Sequence, residues 1–413
     1  FVGTENGLWV SLEEGKNYTR WTSGYPAGVP TMDLVVHPRE HDLAIGTFGR
    51  ALYVLDDIRP LREMVKEGSA ILNKTLYVFD PVDAYQVVTQ DPAGILFPGN
   101  AMFQGENRAT GAIISYVINK PEEKKVDDKK DEKKTDSKKD AKPEPKKDES
   151  KDKKDDKPKV KYDSLTLEVF NAKGEKIRTI KQKAPEDNGL NRMTWELNEK
   201  GSRQPSREKP RANAPEPRGI QVLPGTYKLR LTFGDKKDST TINVKSDPRY
   251  PQSESVIPLR YGMIKELQTL TETGAQAMER LRESKEIADE YEKKIKESKR
   301  TDLKDATDKI KIMKDSINNI MDYIVGKEDK RQGIVRSPSP TPMSYVGVAQ
   351  FFINSSKDPI SSTDQRVVKQ AEEQVAKVIE RVNTFFEKSW PEFRTAMEKV
   401  SISPFKNYEP IKK

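Results

Sequence analysis

The chain is 413 residues long, 34% apolar and 34% charged, with a net charge of +8 and no cysteine. That length allows two to four domains, and the absence of cysteine excludes disulfides, thiolate metal sites and cysteine nucleophiles. No apolar run approaches the ~20 residues that span a bilayer, and the basic excess is no nucleic-acid face: 18 lysines and 14 carboxylates crowd into Lys120–Lys161, leaving the remainder close to neutral.

The first elements are short strands that repeat. Val2-Gly3-Thr4 returns as Ile45-Gly46-Thr47, 43 residues on, and Leu8-Trp9-Val10 returns as Leu52-Tyr53-Val54, 44 residues on. Each copy is a strand, a turn with glycine and a second strand with period-2 alternation. Met32 to His37 reads as a further strand, closed by Pro38. A period of 40 to 50 residues built from short strands is a propeller-blade signature. The chain opens in mid-strand, so residues 1–60 are expected to be the C-terminal blades of a truncated β-propeller, dependent on upstream blades of the same protein.

The loop after Val10 carries Ser11, Glu13, Gly15 and Tyr18. It resembles the Asp-box of BNR-repeat propellers, with Glu13 in place of the usual aspartate and Tyr18 in place of the usual tryptophan. In such a box the side-chain oxygens bind turn N–H groups, glycine takes a conformation that other residues avoid, and the aromatic packs beneath. "GTENGLWVSLEEGKNYTRW" and "DLVVHPREHDLAIGTFGRALYVLDDIRPLREM", with the segments after them, resemble the C-terminal part of bacterial sortilin-like (VPS10-type) BNR-repeat proteins, often called glycosyl-hydrolase-like and common in Bacteroidetes. The resemblance covers nearly the whole chain except the charged run. It implies an extracytoplasmic location, and a propeller followed by a connector, an immunoglobulin-like domain and a helical tail.

Residues 61–119 read as a connector with the first strands of a β-sandwich. Residues 120–163, rich in Lys, Asp and Glu, bury too little apolar surface to order and are expected to be a disordered insert at a hairpin tip. Residues 164–247 alternate as strands at Leu165, Asn191–Leu197, Gly225–Phe233 and Asp238–Val244, and resemble an immunoglobulin-like or FlgD-like sandwich. Trp195 is its expected core aromatic. The Pro- and Arg-rich stretch from Gly201 to Gly219 reads as a loop.

Residues 248–413 carry three apolar seams at 3-4 spacing: Ile264 to Ile295, Leu303 to Ile324 and Val368 to Phe385. They predict an antiparallel three-helix bundle, with Thr301 capping the second helix, Ser361 to Asp364 capping the third, a loop between the second and third, and a short helix at Trp390–Val400. Each seam alone would also suit a partner helix, so a homo-oligomeric coiled coil stands as a further possibility.

No residue is assigned to catalysis, a cofactor or a metal. His37 and His41 read as turn residues, Asp56 and Asp57 as a strand end lacking a facing acid, and Arg50 as a surface ion-pairing residue. No phosphate loop, Rossmann fingerprint, metal-spaced histidines or nucleophile elbow occurs. The leading expectation is a non-catalytic C-terminal region that binds protein or glycan and supports the propeller. The competing one is part of a sialidase-like glycoside hydrolase whose catalytic residues lie upstream.

Overall fold

The computed structural model describes residues 1–87, 108–121, 161–250, 253–298, 300–327, 340–355 and 358–400. The protein is mixed β and α, with five sheets among the described residues ahead of a helical C-terminal half. The expected disordered insert lies almost wholly outside the described residues, as does part of the connector.

β1 (Val2–Thr4), β2 (Gly7–Val10) and β3 (Thr19–Arg20) form one antiparallel sheet; β4 (Thr31–Val36), β5 (Leu43–Thr47) and β6 (Leu52–Leu55) form a second. The repeat seen in the letters is a repeat of register. Val2 faces Trp9 and Gly3 faces Leu8 in the first hairpin; Ile45 faces Tyr53 and Gly46 faces Leu52 in the second. The threonines do the same work. Thr4 Oγ1 donates to the Gly7 carbonyl (3.0 Å), and Thr47 Oγ1 donates to that of Ala51 (2.5 Å). One extra residue in the second turn shifts the repeat from 43 to 44. Between the sheets β1 lies beside β4, and a Cβ on Gly3 would stand 2.8 Å from Thr31 Cγ2, so only glycine permits this approach.

α1 (Arg59–Glu67) follows, a helix that the sequence reading treated as connector. Pro60 sits in its first turn and Gly68 ends it, while Pro60 and Met64 turn inward. Nine residues show too few periods to stand out from a connector.

Two sheets then share one core. The first is β7 (Leu76–Val78), β9 (Ala112–Ile118) and β12 (Gly189–Trp195), with β9 central. The second runs in the order β11 (Lys176–Lys183), β10 (Ser164–Phe170), β15 (Gly225–Phe233), β16 (Lys236–Ser246), β8 (Ala84–Gln86). Their facing side chains, among them Ile114, Tyr116, Leu167, Leu231 and Phe233, form a single apolar cluster. Trp195 is fully buried there, its Nε1 donating to the Asn198 carbonyl (2.9 Å) and its ring edge-on to Tyr227. β8 pairs in parallel with β16, Ala84 opposite Val244. Val78 N–H to Asp238 (2.8 Å), Thr240 to Asp80 (2.7 Å) and Asn243 to Asp83 (3.1 Å) fasten the same edge, each across 160 residues of chain. On the outer side of β9, Val117 packs with Met64, Ile71 and Phe79 from α1 and the segments beside it.

β13 (Asn198–Lys200) and β14 (Arg218–Gln221) pair at the base of the Pro- and Arg-rich loop. The helical half is built on α2 (Ser253–Ser298), 46 residues and thus roughly 70 Å long. Its first half packs Ile264 and Leu267 against α4 (Pro342–Ser355) and α5 (Ser362–Thr384). Its second half packs Met278, Leu281 and Ile295 against α3 (Lys304–Val325), the end of α5 and α6 (Trp390–Glu398).

The stretch read as a loop between the second and third seams contains the start of α4, so among the described residues these cores have one helix more than the three seams and the short last helix predict. α4 has no charged residue, and its exposed positions include Val348, Phe351 and Phe352, so no apolar period stands out in its sequence. Thr301 caps nothing; α3 begins after Leu303 without a side-chain cap. The Ser361–Asp364 capping box forms as expected, the Asp364 N–H donating to Ser361 Oγ (3.1 Å) and the Ser361 N–H to Asp364 (2.8 Å). Between α5 and α6 the backbone widens into a π turn over Phe385–Ser389. Pro391 offers no N–H and its ring would strike the carbonyl four residues back, which this widening avoids.

Candidate functional site

The loop with the expected Asp-box residues is a side-chain-held turn. Ser11 Oγ accepts from the Gly15 N–H (2.8 Å) and the Glu13 N–H (3.2 Å), and Gly15 has a φ of 85°. Glu13 differs from the expectation: its carboxylate takes the Asn17 side-chain amide (2.6 Å) and no backbone N–H. The extra methylene of glutamate carries its oxygens past the turn. Tyr18 does not pack beneath the turn either. It is exposed, with its hydroxyl lying over Gly15. Leu12 leaves the loop to pack on the Met64–Phe79 cluster, which joins the first sheet to the body of the protein.

The second sheet has two unlike faces. Leu34, Leu43, Ile45, Tyr53 and Leu55 close over Leu8 and Tyr25 of the first unit. On the other face, Val35, Ala44 and Val54 stand in one row and Asp33, Gly46 and Leu52 in the next. Val35, Leu52 and Val54 are exposed there, with Met32 and Phe48 at the margin. Leu8 and Leu52 hold the same place in the repeat, yet Leu8 is 0% exposed and Leu52 66%. Leu8 of unit one is therefore buried against unit two, while Leu52, its counterpart in unit two, is open. Exposed apolar side chains thus flank Asp33 on this face.

The polar residues near the second sheet are structural. His37 Nδ1 accepts from the Glu40 N–H (3.0 Å), and His41 adopts a φ of 58° in the same turn. Asp57 is buried and accepts from Arg59 Nε (2.6 Å), and its carbonyl takes Arg192 Nη2 (2.7 Å) from β12. Arg50 is exposed and makes no ion pair among the described residues, contrary to the expectation for it. Among the described residues no cluster of three metal-capable side chains occurs, and no helix is long and apolar enough to cross a membrane.

Sequence reasoning missed the arginines of the loop between β13 and β14. Arg203 reaches α2, giving Nε to Glu272 (2.8 Å) and Nη1 to Glu279 (2.9 Å). Arg207 reaches α3, giving Nη2 to Asp322 (2.5 Å) and to the Gly326 carbonyl (2.7 Å). In return Arg282 of α2 donates to the Ser206 carbonyl (2.5 Å). At the loop base Glu199 accepts from the Tyr261 hydroxyl and from Lys265 Nζ, both at 2.5 Å. Burial and this acceptor raise the Tyr261 pKa, keeping it a neutral donor. Charge-assisted bonds spread over two helices make the loop a strap between the paired sheets and the helices. The alternation of Arg with Pro was its only trace in the sequence.

Compared with known proteins, the chain matches no family model, no curated protein and no solved structure.

Proposed function

We propose that the chain is the non-catalytic C-terminal region of an extracytoplasmic, sortilin-like BNR-repeat protein, serving in protein or glycan binding and in support of a propeller. In this reading the two N-terminal sheets are consecutive blades, the paired sheets an immunoglobulin- or FlgD-like module, and the helices a rigid base. The observation that carries it is the contrast between Leu8 and Leu52. Equivalent residues of a repeat share an environment when each unit has a neighbour, and a 66% exposed Leu52 is the residue whose neighbour belongs to another blade. The shared hairpin register and the paired threonine bonds support treating the units as copies.

The test uses the lack of native cysteine. Leu52→Cys is placed in this chain and in the longer polypeptide encoded when the upstream coding sequence is included, and its rate of thiol labelling is measured. Protection of at least about tenfold in the longer protein is expected, since labelling tracks access to the thiolate. Equal rates, or an upstream sequence with no further copy of the unit, would overturn the reading.

A further inference from the structure

Where the paired sheets meet the helices, a cavity of about 220 Å³ lies between the ends of β8, β14 and β16 and the facing ends of α2 and α4. Val222, Val256, Ile264 and Ile353 make its wall apolar. At about 30 Å³ for a water-sized group, that volume holds roughly seven non-hydrogen atoms. The polar groups on the wall decide what kind of molecule fits.

Arg260 is one of them, and it is only 8% exposed. Its Nη1 donates to the Ile353 carbonyl (2.6 Å) and its Nε and Nη2 to the Asp358 carbonyl (3.2 and 2.5 Å). These are backbone oxygens, and among the described residues Arg260 forms no ion pair. Other arginines in the fold have one: Arg59 with Asp57, Arg207 with Asp322, Arg230 with Glu168. Arg178, equally buried, lies beside the carboxylates of Glu216 and Glu196. Among the described residues the one carboxylate on the cavity wall, Asp247, is gripped by Arg249 from both oxygens (2.9 and 2.6 Å) and has its charge matched. The carbonyls at the end of α4 offset about half a unit of charge. A buried cation left partly uncompensated beside an empty apolar space favours an anion there.

We propose that this cavity binds a small aliphatic carboxylate, its anionic head on Arg260 and its chain of about five carbons among Val222, Val256, Ile264 and Ile353. The Gln86 side chain, buried on the same wall, donates to the Val222 carbonyl (2.6 Å) and holds that wall in place. This site does not depend on the blade reading, and it shares no residue with the open face of the second sheet.

Pentanoate, pentan-1-ol and pentylamine are titrated against the whole chain by ligand-observed NMR. Pentanoate is expected to saturate with a Kd near or below about 1 mM, with the alcohol at least about tenfold weaker and the amine not binding. Ile257→Trp, which fills the space from a half-buried wall position, should abolish pentanoate binding while the thermal midpoint is kept. Arg260→Gln should weaken pentanoate about tenfold and leave pentan-1-ol unchanged. The proposal is overturned if pentanoate fails to saturate, if the alcohol binds as tightly, or if Ile257→Trp still binds.

Discussion

Arg207 and Asp322 meet at 2.5 Å across the junction between a Pro-rich loop and the last turn of α3. The loop begins in the paired sheets and the helix belongs to the C-terminal half, so this contact and Arg203–Glu272 are the means by which a segment without regular structure sets where two modules sit. Pairs of this kind carry modest energy singly and more in a network.

Arg207→Ala is therefore expected to cost about 1 kcal/mol, and Arg203→Ala, whose pair is more exposed, about 0.5 kcal/mol. The double variant should separate the thermal unfolding of sheets and helices into two transitions. Differential scanning calorimetry reads this directly, and a single unchanged transition would argue against a strap. Raising the salt to about 1 M, where the Debye length falls to about 3 Å, should move the parent protein in the same direction.

The two repeat leucines should answer truncation differently. Leu8→Ala removes a fully buried side chain and should cost about 2–4 kcal/mol, whereas Leu52→Ala should stay within about 0.5 kcal/mol. Urea unfolding followed by the fluorescence of Trp9 and Trp21 reports on this region. Equal losses would mean that the two positions are not equivalent environments.

Two glycines of α2 should give opposite signs. A Cβ on Gly274 would come 2.6 Å from Met343 Sδ and 3.1 Å from Pro205 Cγ, where α4 and the strap both press on the helix. Overpacking of about 1–3 kcal/mol there outweighs the helix-propensity gain of about 1 kcal/mol. Gly262 meets nothing within 4 Å, so Gly262→Ala should stabilise by up to about 1 kcal/mol. Chemical denaturation midpoints test both; a stabilising Gly274→Ala would contradict the packing.

Glu292 supplies a pH dependence. Hydrogen bonds from Lys296 and Lys314 hold its carboxyl down to about 2, against an ordinary 4.5. A lowered folded-state pKa gives stability that is present above about 4.5 and is lost as the pH falls through about 2. Glu292→Gln should thus lower stability at pH 7 and flatten its decline across that acid window, as far as a partly exposed pair allows. A parallel decline in parent and variant would show that the pair is not linked to folding.

What the letters revealed depended on whether a residue's partner is near in sequence. The hairpins around Gly3 and Gly46, the seams of α2, α3 and α5 and the Ser361–Asp364 box are local patterns, and each was readable. α4 was not, because Val348, Phe351 and Phe352 on its exposed side blur the contrast with its buried one. The Arg203 and Arg207 contacts join residues 69 to 119 positions apart, and no spacing rule connects them. The cavity at Arg260 is assembled from segments between Gln86 and Asn354, so its apolar side chains read in sequence as ordinary core residues. Tyr18 resisted for another reason: the same letters serve whether the ring lies under its turn or, as here, over Gly15 in solvent.

The parallel pairing of β8 with β16 also has a bearing on biosynthesis. Asp80 and Asp83 wait for partners that lie 160 residues downstream. At a ribosomal pace of about 5–20 residues per second, β8 emerges about eight to thirty seconds before the strand it pairs with. Until translation reaches Ser246, the ladder groups of this three-residue edge strand have no partner in the sheet they will join.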